Sequence, residues 1–185
     1  MGDRLQISLI LALGFCTPLL MLKDKRSSIF GLVLVLAYVL TIRLSPPQLD
    51  MINYFNYLAA DNVLACVASP YYWREPLFWC GAPVVYQLLS VLGAESLTFV
   101  LIDALLVVLC FRYIKGYRHR GVILFLLVLS LPSFLGINNI YRQWIAMMLI
   151  IPALVCLLQG RSFASIGWLF VSGLAHNISF VLFVI

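Results

Sequence analysis

Few residues in this chain have chemical potential, and most of them stand in apolar surroundings. Arg142 and Gln143 open the run YRQWIAMMLIIPALVCLL. His176 closes the next apolar run, GWLFVSGLAH. Arginine offers a planar donor fork matched to phosphate. Histidine takes or gives a proton near neutral pH. Together they suit a phosphate-bearing substrate attacked by a hydroxyl. The plain alternative is an Arg142 that snorkels to a membrane interface and a His176 bonded to a backbone carbonyl. Ionisable groups within membrane segments are costly, which adds weight to the functional reading.

Arg74 and Glu75 are a second candidate pair. They read as an external salt bridge at a helix start, with Glu75 favoured by the helix dipole, or as a second phosphate donor and a second base. Arg43 carries the same two readings. Asp103, in LTFVLIDALLVVL, has no obvious basic partner in the sequence. It reads as a transporter's proton relay or as a carboxylate bonded by a polar group of a neighbouring helix. His119, in the basic GYRHRG segment, reads as solvated.

The elements that must hold these residues follow from composition. Of 185 residues, 64% are hydrophobic and 10% charged, and the mean hydropathy is +1.06. That excludes an ordinary soluble domain. Apolar windows recur at helix-spanning length, without the alternation of a β-barrel. The expected fold is all-α, a polytopic membrane helical bundle of six to seven spans forming one integral domain. The spans fall near 5–22, 29–44, 76–92, 96–113, 122–136, 141–158 and 163–185, with one long extracytoplasmic loop over 45–75. The opening MGDRLQISLILALGFCTPLLML lacks a small-x-small cleavage site and reads as a retained first span.

The net charge of +5 sits mostly in short loops, so it signals topology rather than nucleic acid. Lys23, Lys25 and Arg26, then Arg112, Lys115, Arg118 and Arg120, then Arg161, are all expected on the cytoplasmic side. That leaves Arg142 and His176 outside. Three apolar segments between the first two clusters give the wrong parity. The segment 76–92, short and holding Gly81 and Pro83, is taken as re-entrant or incomplete; the alternative is that one of the basic clusters lies outside. In the 45–75 loop, QLDMINYFNYLAADNVLACVA reads as an interfacial amphipathic helix, with Asp50, Asn53, Tyr54, Tyr57 and Asp61 along its polar side. Pro46-Pro47 ends the preceding span, and Pro76 suits a first helical turn. The five cysteines read as small buried hydrophobes. Cys66 and Cys80 could pair outside, but nothing in the sequence demands it.

A hairpin argument ties Arg142 to His176. From Arg142 to Gly160 is about 27 Å of helix, and from Gly160 back to His176 about 24 Å, at ~1.5 Å per residue. Both residues are therefore expected at similar depth on antiparallel neighbours. No P-loop, GxSxG, HExxH or Asp-rich metal motif occurs. No metal, soluble cofactor or nucleic-acid partner is expected.

The stretch YRQWIAMMLIIPALVCLLQGRSFASIGWLFVSGLAHNISFVLFVI resembles the EpsG/Wzy-like family of bacterial polysaccharide (O-antigen) polymerases. The matching features are Arg142, Gln143 and Ala146 at a span start, then His176 and Ser179 one hairpin later. Asp50, Tyr54, Glu75 and Pro76 fit the family's upstream placement. The resemblance implies a multi-pass enzyme of the bacterial inner membrane. It would transfer a growing chain from undecaprenyl diphosphate to a hydroxyl of the next lipid-linked oligosaccharide, at the periplasmic face. In that reading Arg142, Gln143, Arg74, Asp50 and Tyr54 bind substrate, and His176 or Glu75 is the base. Membrane lipid and a chain-length regulator are the further partners. The abrupt end inside SFVLFVI reads as a truncation. The competing readings are a transporter or flippase for a lipid-linked or small substrate, and a non-catalytic membrane subunit.

Overall fold

The computed structural model describes residues 23–44, 49–60, 75–129 and 141–176. These residues form eight α-helices and two 3-10 turns, with no strand among them. The helices are α1 (Asp24–Leu44), α2 (Leu49–Ala60), α3 (Pro76–Trp79), α4 (Gly81–Ser90), α5 (Thr98–Tyr113), α6 (Arg120–Leu129), α7 (Tyr141–Leu158) and α8 (Ser162–Ala175). The all-helical architecture is as expected. Three helical stretches are long and apolar enough to cross a membrane: Asp24–Arg43, Glu95–Gly116 and Tyr141–Leu158. The helices α6 and α8 are apolar but shorter. The expected span 5–22 lies outside the described residues, as do the distal parts of 122–136 and 163–185.

Helix α1 has Asp24 in its first turn and Arg43 in its last, each complementing the helix dipole. It stops just before Ser45-Pro46-Pro47, where proline cannot continue a helix. The small residues Ser27, Ser28 and Gly31 let it lie directly against α6. A Cβ placed on Gly121 would collide with the Ser28 carbonyl oxygen. The start of α6 is fastened to the same place. The His119 backbone N–H donates to Asp24 Oδ1 at 2.5 Å, and His119 Nδ1 lies 2.6 Å from Ser27 Oγ. His119 is therefore a connector between two basic segments, a correction to its reading as merely solvated.

The 76–92 segment is two short helices rather than one. Pro83 explains the break: it has no N–H to bond the carbonyl four residues back, and its ring crowds that carbonyl. That carbonyl belongs to Trp79, the last residue of α3. The Tyr57 hydroxyl donates to it at 3.0 Å, so the orphaned acceptor is satisfied from α2. The same logic recurs in α7, which carries Pro152 in its interior. The carbonyl orphaned there is that of Met148, and the buried Cys110 thiol of α5 donates to it at 3.1 Å.

Helices α7 and α8 form an antiparallel hairpin. Gly160, at φ +71°, takes the left-handed conformation that ends α7, and Arg161 N–H returns to the Cys156 carbonyl at 2.8 Å. The core lies where α1, α5, α6 and α7 meet, filled by Val35, Val107, Val122, Leu124, Trp144 and Met148. Apolar side chains also face outward in stripes, such as Leu101, Leu105 and Val108 on α5. The bundle has two distinct ends. Residues 23–27 and 119–121 meet at one. At the other gather the end of α1, the starts of α5 and α7, and the short helices α2 and α3.

Candidate functional site

The second end of the bundle holds the polar residues, and α2 is the first element to reach it. Its buried face is Met51, Tyr54 and Leu58, spaced for one side of a helix. This corrects the expected placement of Tyr54 along a polar side. The ring is apolar enough to join the core, and only its hydroxyl needs a polar partner. Arg142 Nε supplies that partner at 3.3 Å.

Glu75 immediately precedes α3. Its side chain makes no capping bond to that helix. The expected dipole-favoured position at a helix start is therefore not how the carboxylate is used. It turns inward instead, 4% exposed, and joins two residues far along the chain. Oε2 accepts from Arg142 Nη1, and Oε1 lies 2.5 Å from His176 Nδ1. Pro76 in the first turn of α3 and the break at Cys80 fix where the segment turns. Arg142 stands in the first turn of α7. His176 is the residue at which α8 ends, with extended backbone, its N–H still bonded to the Ser172 carbonyl at 3.1 Å.

Glu75, Arg142, His176 and Tyr54 thus converge from four segments. Exposure separates their roles: the Arg142 and His176 side chains are 20% and 14% accessible, and Glu75 beneath them 6%. An incoming molecule can reach the guanidinium and the imidazole while the carboxylate stays behind them. A carboxylate on Nδ1 fixes the orientation of the ring and leaves Nε2 free to face an incoming molecule. The guanidinium keeps its ability to bind an oxyanion in a fixed direction.

Aromatic rings wall this site. Arg142 lies over the Trp79 ring at 5.2 Å. Tyr54 meets Phe78 edge to face at 4.9 Å, and Tyr57 meets Trp79 at 4.9 Å. Trp79 belongs to the aromatic run SPYYWREPLFW, whose composition suits the headgroup level of a membrane and does not by itself point to a contact with Arg142. Cys80, next to Trp79, is disulfide-bonded, with its partner outside the described residues. Cys110 and Cys156 are free and buried.

Of the other expected site residues, Gln143 is half-buried next to Arg142 in the first turn of α7. Arg74 and the side chain of Asp50 lie outside the described residues, as does Ser179. Asp103 does have a basic partner, contrary to the sequence reading. Arg43 Nε donates to it at 2.6 Å, across 60 residues. Tyr141 and Trp144 also bond it, from α7. Among the described residues, no three His, Cys, Asp or Glu side chains are grouped to hold a metal.

Comparison with protein-family models, with curated proteins and with solved structures gave no match to this chain.

Proposed function

We propose that the chain is a multi-pass bacterial inner-membrane enzyme of six to seven spans, a polysaccharide polymerase that uses lipid-diphosphate-linked oligosaccharides at the periplasmic face. The observation that carries this reading is the junction at Glu75, where a partly exposed arginine and a partly exposed histidine share one buried carboxylate. That arrangement offers an oxyanion ligand and an oriented proton acceptor side by side, as transfer from a diphosphate to a hydroxyl needs.

The step balances with these residues alone. A hydroxyl oxygen of the acceptor sugar attacks the anomeric carbon of the donor chain. The bond from that carbon to the diphosphate oxygen breaks, and its electron pair leaves with the diphosphate. Arg142 holds the departing diphosphate, with Tyr54 bracing the guanidinium. His176 takes the hydroxyl proton on Nε2, and Glu75 compensates the charge that then sits on the ring. This assigns His176 as the base and Glu75 as its orienting partner. Arg74, Asp50 and Gln143 remain proposed substrate contacts.

The outward apolar stripes suit a lipid solvent and the entry of lipid tails between helices. The disulfide at Cys80, adjoining Trp79, suits an oxidising compartment on the side of the site. A transport reading would rest on Asp103 as a coupling acid, and its ion pair with the buried Arg43 removes the main argument for that.

The test is complementation of a strain that makes lipid-linked repeats but lacks its polymerase. The native protein, expressed from its whole gene, is expected to restore long polysaccharide ladders. Arg142→Ala and His176→Ala are each expected to leave single repeats. Ladders of normal length from both variants would sink the reading.

A further inference from the structure

Asp103 is fully buried, and it collects donors from two helices. Arg43 Nε reaches it from the last turn of α1 at 2.6 Å. The Tyr141 hydroxyl and Trp144 Nε1 reach the other oxygen, at 2.9 and 3.0 Å, from the first turn of α7. Those two donors flank Arg142 and Gln143 in the sequence. Residues three apart share a helix face, and the next residue projects about 100° around from its predecessor. Tying 141 and 144 to one carboxylate therefore fixes both the height and the rotation of the first turn of α7. The direction in which Arg142 leaves the helix follows from that rotation.

Arg43 completes the anchor. Its guanidinium lies over the Tyr141 ring at 4.6 Å, and Nη1 donates to Met51 Sδ at 3.6 Å. Met51 and Tyr54 lie one turn apart on the buried face of α2, so α2 touches both arginines. Arg43 Nη2 is buried with no hydrogen-bond partner. Stability alone is a poor reason for such a cluster. Apolar residues of similar volume often serve as well as a buried ion pair, and an unmatched buried donor is costly.

We propose that Asp103, held by Arg43, is a positioning residue that aims Arg142 at Glu75 and His176 through Tyr141 and Trp144. This rests on the reading of Arg142 as the diphosphate ligand. Neither Arg43 nor Asp103 meets substrate, since their side chains are 6% and 0% exposed.

The test is the coupling between Arg142 and Glu75. It is read from thermal unfolding of the purified, detergent-solubilised chain carrying Arg142→Gln, Glu75→Gln or both. In the native background the double variant is expected to lose less than the sum of the single losses. With Asp103→Asn, or with Tyr141→Phe, the losses are expected to become additive, and chain elongation to fall on the order of 10²-fold. Tyr141→Phe removes one hydroxyl and keeps the ring, so it yields an answer even where Asp103→Asn fails to fold. Unchanged non-additivity in the Tyr141→Phe background, or none in the native one, would overturn the proposal. Additive losses with undiminished elongation would instead overturn the polymerase reading and leave the positioning role standing.

Discussion

Glu75 and Asp103 both serve this end of the molecule, and their surroundings give them different work. Glu75 sits under side chains that reach solvent, whereas Asp103 and Arg43 are sealed. Removing one partner of a sealed pair leaves a charge with neither water nor counter-ion. Asp103→Ala is therefore expected to cost about 3–5 kcal/mol. Glu75→Ala leaves Arg142 and His176 able to hydrate, and about 1–3 kcal/mol is expected. Denaturant or thermal unfolding in one detergent would rank them, and a larger loss from Glu75→Ala would contradict the burial argument. The sequence reading paired Arg142 with His176 because a hairpin of two regular helices fixes relative depth. It did not find Glu75 between them, at separations of 67 and 101 residues. No local period connects positions that far apart. Asp103 was misjudged for the same reason, its partner lying on another helix.

Proline and glycine decide how the elements meet. Pro83 and Pro152 each orphan a carbonyl, and each carbonyl is met by a donor from a neighbouring helix, Tyr57 or Cys110. A fault within one element thus becomes a contact between two. The break at Pro83 was foreshadowed by the short, proline-bearing segment 76–92, whereas the donors that answer it were not legible. The contact between α1 and α6 rests on the absence of side chains. The atoms that a Cβ on Gly121 would strike belong to the backbone of α1 and cannot rotate away. Overpacking of this kind typically costs about 1–3 kcal/mol. Gly121→Ala is expected at or above the top of that range, measured as lost thermal stability. A change no larger than that of Gly167→Ala, whose Cβ would meet open space, would contradict the close approach.

At the scale of the molecule, composition alone gave the class, and charge gave a polarity that the bundle can be asked to honour. Loops of Lys and Arg resist translocation, so basic segments sharing one end should share one side of the membrane. Residues 23–26 and 115–120 share an end because Asp24 and Ser27 grip His119. Arg161 closes the α7–α8 hairpin at the end away from Arg142 and His176. Between α1 and α5, the helices α2, α3 and α4 are short, and Arg43 at the end of α1 pairs with Asp103 near the start of α5. The end of α1 and the start of α5 thus lie at the same end of the bundle, which is the arrangement that a re-entrant or incomplete 76–92 segment requires. Single cysteines would read this directly in intact cells, in a background with the native cysteines replaced. Lys25→Cys, Arg118→Cys and Gln159→Cys are expected to resist a membrane-impermeant maleimide until the cells are opened. Val91→Cys, in the exposed turn after α4, is expected to react at once. Reaction of Val91→Cys only after lysis, together with the other three, would show that α3 and α4 do not return to the outer face. The Glu75 site would then have no access to a periplasmic substrate.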